Sequence, residues 1–344
     1  LVGGARPIEL LQAAKRFVGD AIQRQFVELG EACEGADLLI GAGLQAAGPS
    51  VAALQGISYR YVVYCPVLLP SWREPAVLFR SQDHPVWLNR VGQWLTRSFF
   101  RRALIGPLTR LRRAHGLGRV GPILPYLLTE EPWLACDESL AAAPADTPLR
   151  SRSIGWLAPR KGPALPEKLE AFLDAGPAPL YAGFGSMTDP DAEQTTSDLL
   201  EAAEAAGLRV VLSAGWAGLG AGQQSERVFV AEPLCHAQLF PRVAAVLHHG
   251  GAGTTHAAAR AGVPQLVVPH LADQFYWARR VRTAGALAGE CWRSRLSVDT
   301  LVPLLRALED NELLRSRAAS LGAQVRSNLA SSHGLRAAAL REVR

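Results

Sequence analysis

The apolar and polar positions along the chain fall into two regions where strand and helix patterns alternate. Residues 8–34 carry apolar side chains at helical spacing. Glu34-Gly35-Ala36-Asp37 turns the chain into a short apolar run, 38–41, that reads as a buried strand. Residues 46–56 then read as helix, and 59–65 as a strand stopped by Pro66. Such alternation marks a parallel sheet. The stretch 86–116 differs. Trp87, Leu88, Trp94, Leu95, Phe99, Phe100, Leu104 and Leu108 recur every three or four positions between arginines at 90, 97, 101, 102, 110, 112 and 113. This predicts an amphipathic helix with its natural break at Pro107.

Prolines at 144, 148, 159, 163, 166, 177 and 179 make the region 138–179 a linker. Beyond it the alternation is regular. Strands are predicted at 180–184, 209–213, 228–231, 244–247 and 265–268, with helices at 191–206, 236–242, 254–261 and 273–284. Helices at 297–309, 311–327 and 334–344 close the chain, so this half is a doubly wound nucleotide-binding domain. Three parts follow: residues 1–150, 151–330 and a tail at 331–344, a division that 344 residues make natural.

Composition narrows the class. A net charge of +5 over 344 residues is too small for a dedicated nucleic-acid binder. Only Lys15, Lys161 and Lys168 are lysines; the arginine excess reads as coding bias. The five scattered cysteines form no CxxC pair, which argues against a disulfide framework or a zinc site and for a reducing, cytoplasmic setting. No apolar run reaches the length of a membrane span.

The chemistry centres on His248-His249-Gly250-Gly251-Ala252-Gly253-Thr254-Thr255, between an apolar strand and a helix. Amide groups at a helix start lack intrahelical partners and feel the positive end of the helix dipole. With glycines letting the backbone approach an anion, they make a diphosphate cradle. The G-x-G-x-x-G dinucleotide fingerprint fails here, since His256 stands where the last glycine belongs. Gly116 to Gly121 matches it formally, but between an arginine-rich helix and Pro122, so it reads as a loop. No G-K-[ST] occurs. A dehydrogenase or a P-loop NTPase is thereby disfavoured.

Phe184-Gly185-Ser186-Met187, Gly215 to Leu219, Pro233 to Phe240, His248 to Thr255, Ala261-Gly262-Val263-Pro264 and Asp273-Gln274 occur in that order. Together they resemble the UDP-glycosyltransferase superfamily, in its bacterial sterol and antibiotic (macrolide, glycopeptide) branch, over about 150–330 and more loosely over 30–75. The resemblance implies an α/β GT-B fold of two Rossmann-like domains facing across a cleft, with inverting transfer of a hexose from an NDP-sugar. It implies no metal and no resident cofactor, the UDP- or dTDP-sugar being a co-substrate. By the resemblance, His248 meets the diphosphate, and Gly250, Gly251, Gly253 and Thr254 form the cradle. His249 and Ser186 add contacts, Leu234 edges the base, Trp216 lines the donor site, and Asp273 and Gln274 bond sugar hydroxyls. The tail helix would cross back to the first domain. His256 stands where many relatives carry a ribose-binding Glu, which fits a dTDP-sugar, although related UDP-glucose enzymes lack the Glu as well.

The family's first strand and its catalytic base have no counterpart before residue 8, and about two βα units, ~70 residues, are expected ahead of Leu1. The catalytic base is therefore unassigned. The competing reading is a sugar-nucleotide-binding protein without turnover. Asp83, His84 and His115 are the candidate substitutes for the base. Tyr61, Tyr64, Trp72, Trp87, Trp94 and Phe99 suggest a hydrophobic acceptor such as a sterol or polyketide, and the arginine-rich stretch 90–113 is open to a weak membrane-surface contact. Asp189-Pro190-Asp191 imitates a metal-binding D-x-D, but Asp189 capping a helix with Pro190 at its first position is the simpler account.

Overall fold

The computed structural model describes residues 7–158, 162–232, 234–308, 311–331 and 334–342. Among these, every strand pairs in parallel, and the strands form two sheets. The chain opens with α1 (Pro7–Ala32), β1 (Leu38–Ala42), α2 (Gly48–Gln55) and β2 (Ser58–Val63). Next come α3 (Val86–Ala114), α4 (Ile123–Leu128), β3 (Trp133–Leu134) and β4 (Arg152–Ser153), giving a first sheet in the order β1-β2-β3-β4. α3 runs unbroken through Pro107. A proline there forfeits one backbone bond, but Leu104 and Leu108 on either side are held in a core with Ile22, Phe26, Val51 and Ile123, and that packing offsets the loss.

The expected linker contains real structure. Arg152 and Ser153 extend the first sheet, so that unit reaches past residue 150. α5 (Glu167–Asp174) follows, then β5 (Leu180–Gly183), α6 (Ala192–Ala205), β6 (Val210–Ser213), β7 (Val228–Ala231) and α7 (His236–Leu239). β8 (Ala245–His248), α8 (Ala252–Ala261), β9 (Gln265–Val267), α9 (Gln274–Thr283) and β10 (Leu287–Glu290) complete the second sheet; α10 (Val298–Arg306), α11 (Glu312–Ser331) and α12 (Gly334–Glu342) end the chain. Glu309, Pro233, Val343 and Arg344, which fall in predicted elements or motifs, lie outside the described residues.

The second sheet runs β10-β9-β8-β5-β6-β7. From β5 the chain winds outward through β6 and β7, and from β8 through β9 and β10, so the winding reverses between β5 and β8. Open sheets of this type bind ligands outside the carboxyl ends of their strands at that reversal. Successive residues of β5 enter opposite cores: Leu180 and Ala182 join Leu212, Leu247 and Leu266, while Tyr181 joins Val211, Val246 and Phe240. Both faces are covered, hence the continuous apolar runs.

The two sheets share an apolar contact. Val63, Leu134 and Trp156 of the first unit pack with Ala259, Trp277, Val281, Leu321 and Val325. On the other face of the first sheet, Ala338 of α12 packs against Val62, Trp133 and Ile154, and Glu342 pairs with Arg60.

Candidate active site

At the reversal, the loop after β5 (Phe184 to Thr188) faces the loop after β8 (His249 to Gly251). The loop after β6 closes a third side, where the Trp216 amide donates to the Gly185 carbonyl at 2.9 Å. The Trp216 indole itself is mostly exposed. Ser186 is exposed, Gly253 is exposed and Thr254 half-buried on the first turn of α8, and Leu234 is half-buried against the β5/β8 core.

The paired histidines divide their work. His248 is wholly buried at the end of β8. The Gly250 amide donates to its Nδ1 at 3.1 Å, so the proton sits on Nε2, which donates to Gln265 Oε1 at 2.9 Å. Gln265 Nε2 in turn donates to the Thr255 carbonyl at 3.3 Å. Burial, with His249 and His236 nearby, pushes the His248 imidazole down to about 3 against the Gln265 bond, so the ring is neutral. Expected to meet the diphosphate, it instead braces the loop from within, both nitrogens spent.

His249 faces the crevice. A Cβ at residue 251 would lie 2.4 Å from its Nε2, and one at residue 185 would lie 3.3 Å from its Cε1, so the ring occupies space that Gly251 and Gly185 leave. Its Nδ1 is buried with no partner among the described residues. Burial, with His270 and His236 nearby, lowers its imidazole to about 4. Gly250 has φ +89°, and a Cβ there would meet the Gln274 carbonyl at 2.9 Å. The position therefore excludes other residues on both counts.

Asp273 and Gln274 also part company. Gln274 is buried; its Oε1 accepts from the amides of His270 (2.7 Å) and Leu271 (3.0 Å), and its Nε2 points at Met187 Sδ (3.3 Å). Expected to bond sugar hydroxyls, its amide is consumed in tying the loop before α9 to the loop after β5. Asp273 is half-buried, makes no capping bond to α9, and follows Ala272, whose φ of +54° is rare for a residue with a side chain. Burial raises its carboxyl above the usual value.

Sequence reasoning missed His270. Its Nδ1 donates to the Val268 carbonyl at 2.9 Å, its ring meets Phe184 edge-on, and its buried Nε2 has no partner among the described residues. Only its place just past a central strand could have flagged it.

His256 is wholly buried. The Asp137 amide donates to its Nε2 at 3.0 Å and its Nδ1 donates to the Ala252 carbonyl at 2.7 Å, with Trp156 stacked on the ring. Asp189 does not cap α6; Asp191 does, accepting from the Gln194 amide at 3.3 Å. Asp189 accepts instead from Arg293 (2.8 and 2.6 Å), Thr195 Oγ1 (3.1 Å) and the Asp191 amide (2.9 Å). Of the acceptor aromatics, Tyr61 is core, donating to the Gly43 carbonyl; Tyr64, Trp72, Trp87, Trp94 and Phe99 are exposed.

Residues 220–332 match the family described as "Erythromycin biosynthesis protein CIII-like, C-terminal domain". The vancomycin aglycone glucosyltransferase of Amycolatopsis orientalis is 41% identical over 288 residues, covering 82% of this chain and 69% of that protein. The chain belongs to the bacterial antibiotic branch of the UDP-glycosyltransferase superfamily. This glycosyltransferase is also 34% identical over 320 residues to the dTDP-epi-vancosaminyltransferase of the same organism, covering 89% of this chain and 73% of that one. The solved structure of the kitacinnamycin glycosyltransferase superposes with a TM-score of 0.70 at 18% identity, covering 96% of this chain and 82% of that one, which gives the GT-B fold.

Proposed function

We propose that this glycosyltransferase moves a hexose from a uridine or thymidine diphosphate sugar to a hydroxyl of a hydrophobic aglycone, with inversion and without a metal. The second unit, expected from about residue 151 and here following β4, would hold the donor; the first would hold the acceptor, and α12 would fasten the tail to it. The relatives named for a vancomycin aglycone and for a dTDP-sugar support both substrate classes. The observation that carries the donor assignment is His249: a ring between two glycines, beside the first-turn amides of α8, with a buried nitrogen that has no partner among the described residues. A diphosphate there would take bonds from those amides and from the imidazole. As the bond from the anomeric carbon to the diphosphate oxygen breaks, the electron pair leaves with the diphosphate, and the same groups stabilise that growing charge. Asp273 would accept bonds from sugar hydroxyls, the acceptor oxygen would attack the opposite face, and its proton would pass to a base on the first unit. In the cytoplasm, both substrates would be at hand.

Binding without turnover is favoured by one observation. Of the candidate substitutes for the base, the Asp83 carboxylate is paired with Arg279 and Arg282, while His84 meets Phe79 edge-on and His115 packs against Phe26 with its Nδ1 on the Leu111 carbonyl. Calorimetric titration tests the donor site common to both readings. UDP or dTDP should bind at micromolar concentration, and uridine or thymidine about 100-fold more weakly, because the diphosphate carries the contacts. Folded protein that binds neither nucleotide contradicts the assignment. Release of glycosylated aglycone from an NDP-sugar then separates an enzyme from a binder.

A further inference from the structure

The first half of α3 is built inside out. Asn89, Gln93 and Thr96 are 3%, 5% and 8% exposed, whereas Trp87, Trp94 and Phe99 are 66%, 59% and 55% exposed. Asn89 donates to the Arg73 carbonyl at 2.6 Å and Gln93 to the Pro75 carbonyl at 3.3 Å, so the polar face is committed inward. Trp87, Val91, Trp94 and Leu95 stand at the spacing that stacks side chains on one face. A helix between core and water has the opposite order, and a contiguous exposed apolar stripe marks a contact surface.

Charge says what covers it. From His84 to Thr129 the sequence has eight arginines and no aspartate or glutamate. Arg90, Arg101 and Arg102 are exposed on α3 and form no ion pair among the described residues. A second copy on this face would set cation against cation. A nucleic acid would answer the charge but not the aliphatic Val91 and Leu95. An anionic surface with hydrocarbon just beneath it answers both, and indoles with arginines are the side chains that settle at that boundary. No helix among the described residues is long and apolar enough to cross a membrane, so α3 would lie in the plane of the surface.

We propose that the outward face of α3 docks this protein on the surface of an anionic lipid bilayer. The test is flotation of the full chain with vesicles of phosphatidylcholine alone or of equal parts phosphatidylcholine and phosphatidylglycerol. The protein should float with the mixed vesicles only and be released by about 0.5 M NaCl. Brominated acyl chains should quench its tryptophan emission. Trp87→Ser/Trp94→Ser/Phe99→Ser and Arg90→Glu/Arg101→Glu/Arg102→Glu should each reduce vesicle partitioning about tenfold or more, with unchanged melting temperature. Wild-type protein left in the lipid-free fraction overturns the proposal, as does undiminished binding by both variants. A wild-type dimer that ignores vesicles, and that the apolar variant dissolves to monomer, also overturns it by making this face a self-interface.

Discussion

Adjacent histidines with the same side chain hold different positions, and hydrogen-bond direction tells them apart. An amide can only donate, so Gly250 fixes the His248 tautomer and closes that ring into the loop's internal bracing. His249, one residue on, has left the strand and turns outward. The dipeptide could not reveal this. In a sheet covered on both faces, parity along the strand does not separate inside from outside, and the loop path depends on glycines at 185 and 251 that are 66 residues apart in sequence. His256 allows a residue-scale prediction. Burial lowers its imidazole, like those of His236 and His249, to about 4 from an ordinary 6.5. The unfolded chain then takes up protons below about 6.5 that the folded chain refuses until about 4, so stability falls as pH drops through that window. His256→Leu should cost about 1–3 kcal/mol near neutrality, because the Asp137 amide loses its acceptor. The deficit should shrink as the pH approaches 4, as read from melting temperature against pH. A deficit independent of pH would contradict a neutral buried His256.

Elements with a full turn of periodicity or a short apolar run bounded by turn residues could be read directly from the chain. β5 to β9 and α6 to α9 stand within a few residues of their predicted spans. The two-residue strands β3 and β4 could not, because two residues carry no alternation: β3 owes its pairing to the edge of β2, and β4 to the edge of β3. α5 was hidden in a proline-rich stretch, although Pro166 stands at its N-cap, where a proline costs the helix nothing. The Asp189-Pro190-Asp191 turn shows the same limit: Arg293, which fills Asp189, lies 104 positions away. Burial alone would raise the Asp189 carboxyl, but the Arg293 and Asp191 bonds outweigh it and hold it below its usual value. Asp189→Ala should leave Arg293 unpaired and lower stability by about 3 kcal/mol. Nucleotide affinity should be indifferent to EDTA, since the carboxylate oxygens that a metal would need are occupied. A metal requirement that Asp189→Ala removes would reverse this reading.

Across the whole molecule, the doubly wound second half and its glycine-rich turn were legible because they rest on local signals. The union of the two halves was not. It depends on Trp156, Trp277 and Val325 meeting in one apolar cluster, on Arg279 pairing with Glu74 at 3.0 Å, and on Arg280 Nε donating to the Leu140 carbonyl at 2.6 Å. These contacts set the first unit beside the reversal between β5 and β8, where the donor assignment stands on His249. The direct test is titration of UDP and dTDP into His249→Ala and His248→Ala, with melting curves for both. His249→Ala should melt like the wild type but bind about 1–3 kcal/mol more weakly, while His248→Ala should melt at lower temperature. A folded His249→Ala protein that binds nucleotide as tightly as the wild type would contradict the donor assignment.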